Sequence, residues 1–417
     1  MRFYFCLFIL LCSWHVKAQS PLTYREACED IDYFFAKIDS IHPNMYWHTK
    51  PKQIKAFMAE AKRKCKKGTD AETLGGILKS ASCFFDYHTG VIGLHGRIWN
   101  DNEYLFPLVD IQPQGVFFPD SKKQILTINR LPVGEILKEV RKTFGADLPE
   151  GYVTFMQNIT PVFQACLGNM GVFSPYRVEI SIEGRDSLIV TEGITSDELD
   201  EKMIKLIRAF YNIHEPYSLE VYENSALAII RYNKCVGTDQ EEELKAFLQR
   251  TFESLRAHRI QYLFIDMSRN PGGSTIPLYQ FFPYFDKMKK ALPEGLKAAA
   301  MPFRGKVFVY QSPCTNSAAP WLGEELRRYD AAILVGTDTE PVINNYSQAQ
   351  VFVLPHSRLR CRSAENYYTG SYFHCNYNKM GGLVPDIPYP FLTDRLLGET
   401  DCLEIIRLER ELPANRR

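Results

Sequence analysis

The feature that most constrains this chain is the regular alternation of apolar strands and amphipathic helices that begins after Tyr217. "SALAIIRY" reads as a strand, "DQEEELKAFLQRTFESLRAHR" as a helix, "YLFIDM" as a strand and "TIPLYQFFPYFDKMKKAL" as a helix. "KVFVYQ" and "AAILVGT" then bracket one more helix, which starts just after Ser317. Short apolar runs separated by helices suit strands covered on both faces, with the helices as crossovers between parallel neighbours. The expectation is an α/β layer containing parallel pairs.

Upstream the pattern differs. From Leu22 to Phe85 it is helical, with apolar positions at Ala27, Ile31, Phe34, Phe35 and Ile38 behind a capping-box spacing at Thr23 and Glu26. A second helix is expected over Lys52 to Lys66, and a third opens at Thr69 and Glu72, again with capping-box spacing, and ends near Phe84. Between Tyr104 and Ile194 the period shifts toward strands ("LFPLVDI", "GVFF", "QILTINR", "YRVEISIEG"), with one helix, "VGEILKEVRKTF". "TSDELDEKMIKLIRAFY" then reads as a connecting helix capped by Thr195, with Glu198 three residues on. The expected divisions are a helical subdomain over 19–100, a β module over 101–195 and the α/β core over 196–417.

Charge excludes some partners. Forty-nine Lys and Arg balance 49 Asp and Glu over 417 residues, so nothing points to nucleic acid or to an anionic membrane. The opening "MRFYFCLFILLCSWHVKAQS" has a basic residue at Arg2, a short apolar stretch and a small-x-small site at Val16-Lys17-Ala18. It reads as a secretory signal over 1–18, and the expected mature chain is exported, periplasmic or secreted, without a membrane span. Cys12 is the alternative lipoprotein site, though Leu11 stands where a small residue is expected. Of 11 cysteines, nine follow the signal, and no C-x-x-C pair or zinc-like spacing appears among them. Cys361 and Cys375 flank a polar loop and form a candidate disulfide.

Two stretches carry chemistry. In "VYQSPCTNSAAPWLGEELRR" a serine, Ser317, sits where a strand hands over to a helix. One reading is a helix cap. The other is a nucleophile at a helix N-terminus, where backbone N–H groups favour developing negative charge. In "LFIDMSRNPGGST" a buried strand ends at Asp266 and runs into Gly272-Gly273, a turn whose amides could face an anion. It is neither a G-x-G-x-x-G nor a Gly-Lys-Ser/Thr phosphate loop, which disfavours nucleotide binding. If adjacent strands place the two turns side by side, an Oγ and amide donors converge as acyl transfer requires. Cys314, three residues before Ser317, is the competing thiol.

At this point the sequence resembles the C-terminal processing, or tail-specific, serine peptidase family. The matching residues are Asp266-Met-Ser-Arg269-Asn270-Pro-Gly272-Gly273, Ser317-Ala318, Val335-Gly336 and Gly382-Leu-Val-Pro385-Asp386-Ile387. "IHPNMYW", "DYHTG", "ILTINRLPVGEIL" and "VLPHS" extend the likeness over most of the chain. The resemblance implies a ClpP/crotonase-like α/β core, the N-terminal helical subdomain and a degenerate PDZ-like β module. It implies Ser317 as nucleophile, an oxyanion hole from amides near Gly272, Gly273 and Ala318, a polypeptide substrate, and no metal or organic cofactor.

The general base is less direct. In one branch a lysine activates the serine, and here that position holds Val342. The other branch, like the tricorn protease core, uses a histidine, and His88 in "DYHTG" matches it. His356 and His374 are reserve candidates, whereas His258 sits at a helix end away from the turns. The branch's supporting glutamate falls at Lys379, which leaves Asp86 and Glu365 as carboxylates that could orient the imidazole. Glu340-Pro341 also stands where the family favours glycines. Three readings stay open: an exported serine endopeptidase, a catalytically silent member that binds peptide chains as a scaffold or chaperone, and a small-ester hydrolase. Oligomeric state is not indicated.

Overall fold

The protein is described by a computed structural model over residues 21–92, 105–112, 114–159, 161–182, 185–195, 197–199, 201–202, 215–342, 344–368, 375–393 and 395–411. The signal segment with Cys12, the later part of the connecting helix and His374 lie outside these. The fold is mixed α/β, in two compact units. The first takes residues up to Ile207 together with Tyr346–Tyr367, and the second takes Arg208–Asn345 and Tyr368 onward. No described helix is long and apolar enough to cross a membrane.

In the first unit the expected helices form at Tyr24–Ile41, Pro51–Lys64 and Ala71–Lys79. Thr23 and Glu26 make their capping box, with Thr23 N–H donating to Glu26 Oε2 at 2.8 Å. The third helix is capped by Asp70, not Thr69. Its carboxylate accepts from Thr73 N–H at 2.6 Å, while the Thr69 backbone is engaged by Leu22. Asp and Thr both cap well, and the backbone pairing of Thr69 decides between neighbours. The helices bury Ile31, Phe34, Phe35, Leu74 and Leu78 together with Leu354 and with Phe352 from a three-stranded sheet, ordered Gly90–Val91, Arg360–Tyr368, Asn345–Val353.

A second sheet in this unit is antiparallel, from Asp110–Gln112 to Arg185–Thr191. Its helices number three rather than the one expected: Val133–Lys142, Glu150–Ile159 and Val162–Asn169. "YVTFMQNI" is rich in β-branched and aromatic residues, whose weak helix propensity is overridden by burial of Tyr152, Val153 and Phe155, while "VFQACLGN" is buried all round from Val162 to Leu167 and so shows no amphipathic period. Cys361 and Cys375 do not pair. All nine described cysteines are free thiols, and the Cys375 Sγ points to the Glu324 carbonyl.

The second unit holds the α/β core. Its sheet runs Ile387–Pro388, Ile333–Gly336, Lys306–Gln311, Tyr262–Asp266, Leu227–Tyr232, Tyr217–Tyr222, parallel except for the antiparallel last pair. Successive side chains face opposite ways. Ile230, Ile265 and Val309 therefore pack under the Glu241–Ala257 and Ala319–Arg328 helices, while Ile229, Phe264 and Phe308 pack with Cys402, Ile405 and Ile406 of the Glu399–Glu411 helix. The helix expected over "TIPLYQFFPYFDKMKKAL" is instead two 3-10 segments, Ile276–Tyr284 and Asp286–Ala291. Pro283 lacks the N–H that an α-helix interior requires.

Candidate active site

The site in the second unit is built where two parallel strands end. Tyr262–Asp266 leads into the glycine turn, and the neighbouring Lys306–Gln311 leads to Ser317. Asp266 anchors the first turn. It pairs with Arg231 at 2.7 Å, both side chains nearly inaccessible, and accepts the Ser268 N–H at 3.0 Å. Asn270, fully buried, ties the turn to the next strand. Its Nδ2 donates to the Tyr232 carbonyl at 2.8 Å, and its Oδ1 accepts the N–H groups of Gly272 at 2.9 Å and Cys235 at 3.2 Å. The Gly272-Gly273 pair is obligatory for two reasons. Both have positive φ, +91° and +146°, and a Cβ on Gly273 would lie 1.9 Å from the Cys235 carbonyl oxygen.

The second turn is pinned to the first. Thr315 Oγ donates to the Met267 carbonyl at 2.9 Å, Ser312 Oγ donates to the Ser268 carbonyl, and Asn316 N–H donates to the Asn270 carbonyl at 3.0 Å. A Cβ on Gly272 would stand 2.6 Å from Ser317 Cβ, so the glycine turn and the serine are in direct contact. Ser317 is not the helix cap. Ala318 occupies that position, with no side-chain cap bond, and Ser317 precedes it at φ +55°, a left-handed backbone that is costly for a residue with a Cβ. Its N–H donates to the buried Glu340 carboxylate at 2.8 Å. Just before it, the buried Asn316 Oδ1 accepts no hydrogen bond among the described residues.

The three proposed oxyanion donors separate on inspection. The Gly272 N–H is taken by Asn270, whereas those of Gly273 and Ala318 meet no acceptor among the described residues. Cys314 is a poor nucleophile. It is completely buried, and burial pushes its thiol well above the ordinary range. Val342 packs against the apolar core, so no cation stands at the lysine position, and Lys379 is exposed in the turn closed by Gly381 N–H and the Asn378 carbonyl.

In the first unit, His88 follows the 3-10 turn Ser80–Phe84 and precedes the strand at Gly90. Its Nδ1 is buried with no hydrogen-bond partner among the described residues. Burial, joined by the Arg362 charge, lowers its pKa to about 4, against the opposing pull of Asp86 and a hydrogen bond to the Tyr346 backbone. Asp86 does not orient the imidazole through a ring nitrogen. Its Oδ1 accepts the His88 backbone N–H at 2.8 Å, and its Oδ2 accepts from His42 Nε2 at 2.7 Å. His42 Nδ1 in turn accepts the Asn44 N–H at 3.0 Å, which fixes the proton on Nε2. Burial opposes the Asp86 charge, but these bonds hold its carboxyl below the usual range. His42 carries no signal in the sequence, since a lone histidine in "IHPNMYW" does not announce a carboxylate partner. Glu365 is exposed on its strand, and His356 is engaged by Glu29 at 2.8 Å.

A parallel α/β core thus holds a serine of left-handed backbone against a glycine turn. Residues 226–389 match the model of Peptidase family S41. The crystal structure of a CPAF mutant aligns at TM-score 0.58 and 11% identity, over 94% of this chain and 99% of that one. Mature CPAF complexed with lactacystin aligns at TM-score 0.53 and 12% identity, over 93% and 97%. At such identity the likeness shows the fold. No curated protein matches the chain in sequence. Residues 226–389 thus carry a peptidase family S41 domain, and a peptidase domain implies a polypeptide substrate.

Proposed function

We propose that the protein is an exported serine endopeptidase with Ser317 as nucleophile, His88 as general base, and the Gly273 and Ala318 N–H groups as oxyanion donors. The observation that carries this is the strained Ser317 backbone held against Gly272, with its hydroxyl not spent on capping the helix that follows. Strain of this kind persists where the surrounding structure over-determines it, and it presents a hydroxyl away from its own helix. The buried Nδ1 of His88, without a hydrogen-bond partner among the described residues, supplies a neutral base. Gly273 and Ala318 N–H are unspent donors of the type that stabilise a tetrahedral oxyanion. Export rests on the 1–18 segment, and mass spectrometry of the mature N-terminus tests it. A chain beginning near Gln19 is expected, and a lipid-modified Cys12 would refute it.

The deciding experiment is labelling with a fluorophosphonate probe followed by mapping of the modified residue. Adduct on Ser317, absent in Ser317→Ala, is the expected result. The reading of a silent, peptide-binding member draws on Val342 in place of the lysine. It predicts no adduct together with retained binding of unfolded polypeptide.

A further inference from the structure

Where the family pattern favours glycines this chain has Glu340-Pro341, and the structure gives that departure a location. Glu340 is 2% exposed, and its Oε2 accepts the N–H of Ser317 at 2.8 Å. The segment that delivers it is fixed on both sides. Thr339 N–H donates to the Leu383 carbonyl at 3.2 Å, Leu383 N–H donates to Thr339 Oγ at 3.0 Å, and Val342 N–H donates to the Gly381 carbonyl at 3.0 Å. Thr339 Oγ also donates to the Glu340 carbonyl at 2.7 Å. From the other side Gly272 abuts Ser317 Cβ. Ser317 is thus clamped between a carboxylate on its amide and a glycine on its side chain, in a backbone conformation that it would not hold unaided.

We propose that Glu340 is the positioning residue of the nucleophile. Its side-chain oxygen, by accepting the Ser317 N–H, holds Ser317 in the left-handed conformation and so aims Oγ. By occupying that amide it also withholds the Ser317 N–H from a developing oxyanion, and the hole is left to Gly273 and Ala318. The inference rests on the reading of Ser317 as nucleophile.

The test is the second-order rate of fluorophosphonate labelling in the full chain, with a thermal melt on every variant. E340A should slow labelling by about tenfold to a hundredfold, the effect of displacing a reacting group by roughly an ångström. E340Q, whose amide oxygen can still accept the N–H, should recover most of the rate. E340D, one methylene short, should behave like E340A. Labelling of E340A at the wild-type rate overturns the inference, as does an E340Q rate as low as that of E340A, because an acceptor would then not suffice. Should E340A fail to fold, E340Q against E340D decides in the same way. No labelling of the wild type, or persistent labelling of S317A, removes the nucleophile and this inference with it. A labelled wild type with an unaffected E340A removes this inference alone.

Discussion

At the scale of single residues the most informative group is His88. An imidazole at its ordinary pKa of about 6.5 would lose base function through the mildly acidic range. Burial and Arg362 bring this one down to about 4, so the neutral ring persists through pH 5–8. The labelling rate of Ser317 should therefore stay level across that range and fall only as pH drops through about 4. Arg362→Gln removes the second of the two depressing influences, and the acid limb should move upward. A wild-type limb near 6.5 would show that the base is not an imidazole whose pKa burial has lowered. The same depression has a stability consequence. The unfolded chain takes the proton first, so the contribution of the neutral ring is complete above about 6.5 and is lost as pH falls toward 4. Urea midpoints for wild type and His88→Asn should converge over that window.

At the scale of elements, the two strand–turn–helix units behave as one framework, since Asn270 and Thr315 bond across them. Gly272→Ala, at φ +91° and with its Cβ 2.6 Å from Ser317 Cβ and 2.7 Å from the Asn316 carbonyl oxygen, should displace Ser317, cut labelling at least tenfold and lower the urea midpoint. Gly273→Ala drives a Cβ onto a main-chain carbonyl at positive φ and should cost well over about 1 kcal/mol in urea unfolding. Equal labelling in Gly272→Ala would count against the contact described here. These units were legible in the sequence because buried strands of β-branched residues alternate with helices of clean 3.6 period, and because two glycines and a serine mark the junctions. The Pro283 region was not, since its density of apolar residues imitates a helix face until proline removes the backbone bond. The helix at Glu150–Ile159 was hidden by residues that prefer strands, and the one at Val162–Asn169 by burial on every side, which erases the helical period. His42 left no periodic trace, and Glu340 showed as a departure from pattern whose meaning only the Ser317 N–H supplies.

At the scale of the whole molecule, neither unit is a continuous piece of chain. The first is completed only by Tyr346–Tyr367, which follow most of the second. A chain ending at residue 207 would lack the Arg360–Tyr368 partner of the Gly90 strand and the Phe352, Leu354 and Cys361 side chains buried among the first helices. In such a fragment the helices Tyr24–Ile41 and Ala71–Lys79 should be cleaved rapidly by protease, whereas protection of those helices would mean that the 346–367 segment is dispensable. This interleaving sets an order of events as the chain is made. The N-terminal helices emerge first and must wait for Arg208–Asn345 to be produced before their last strands arrive, a delay on the order of ten seconds at ordinary elongation rates. Throughout that interval Phe34, Phe35 and Leu78 have no complete core to enter. A nascent chain of this design therefore keeps an apolar helix face open for longer than one whose first unit is continuous in sequence.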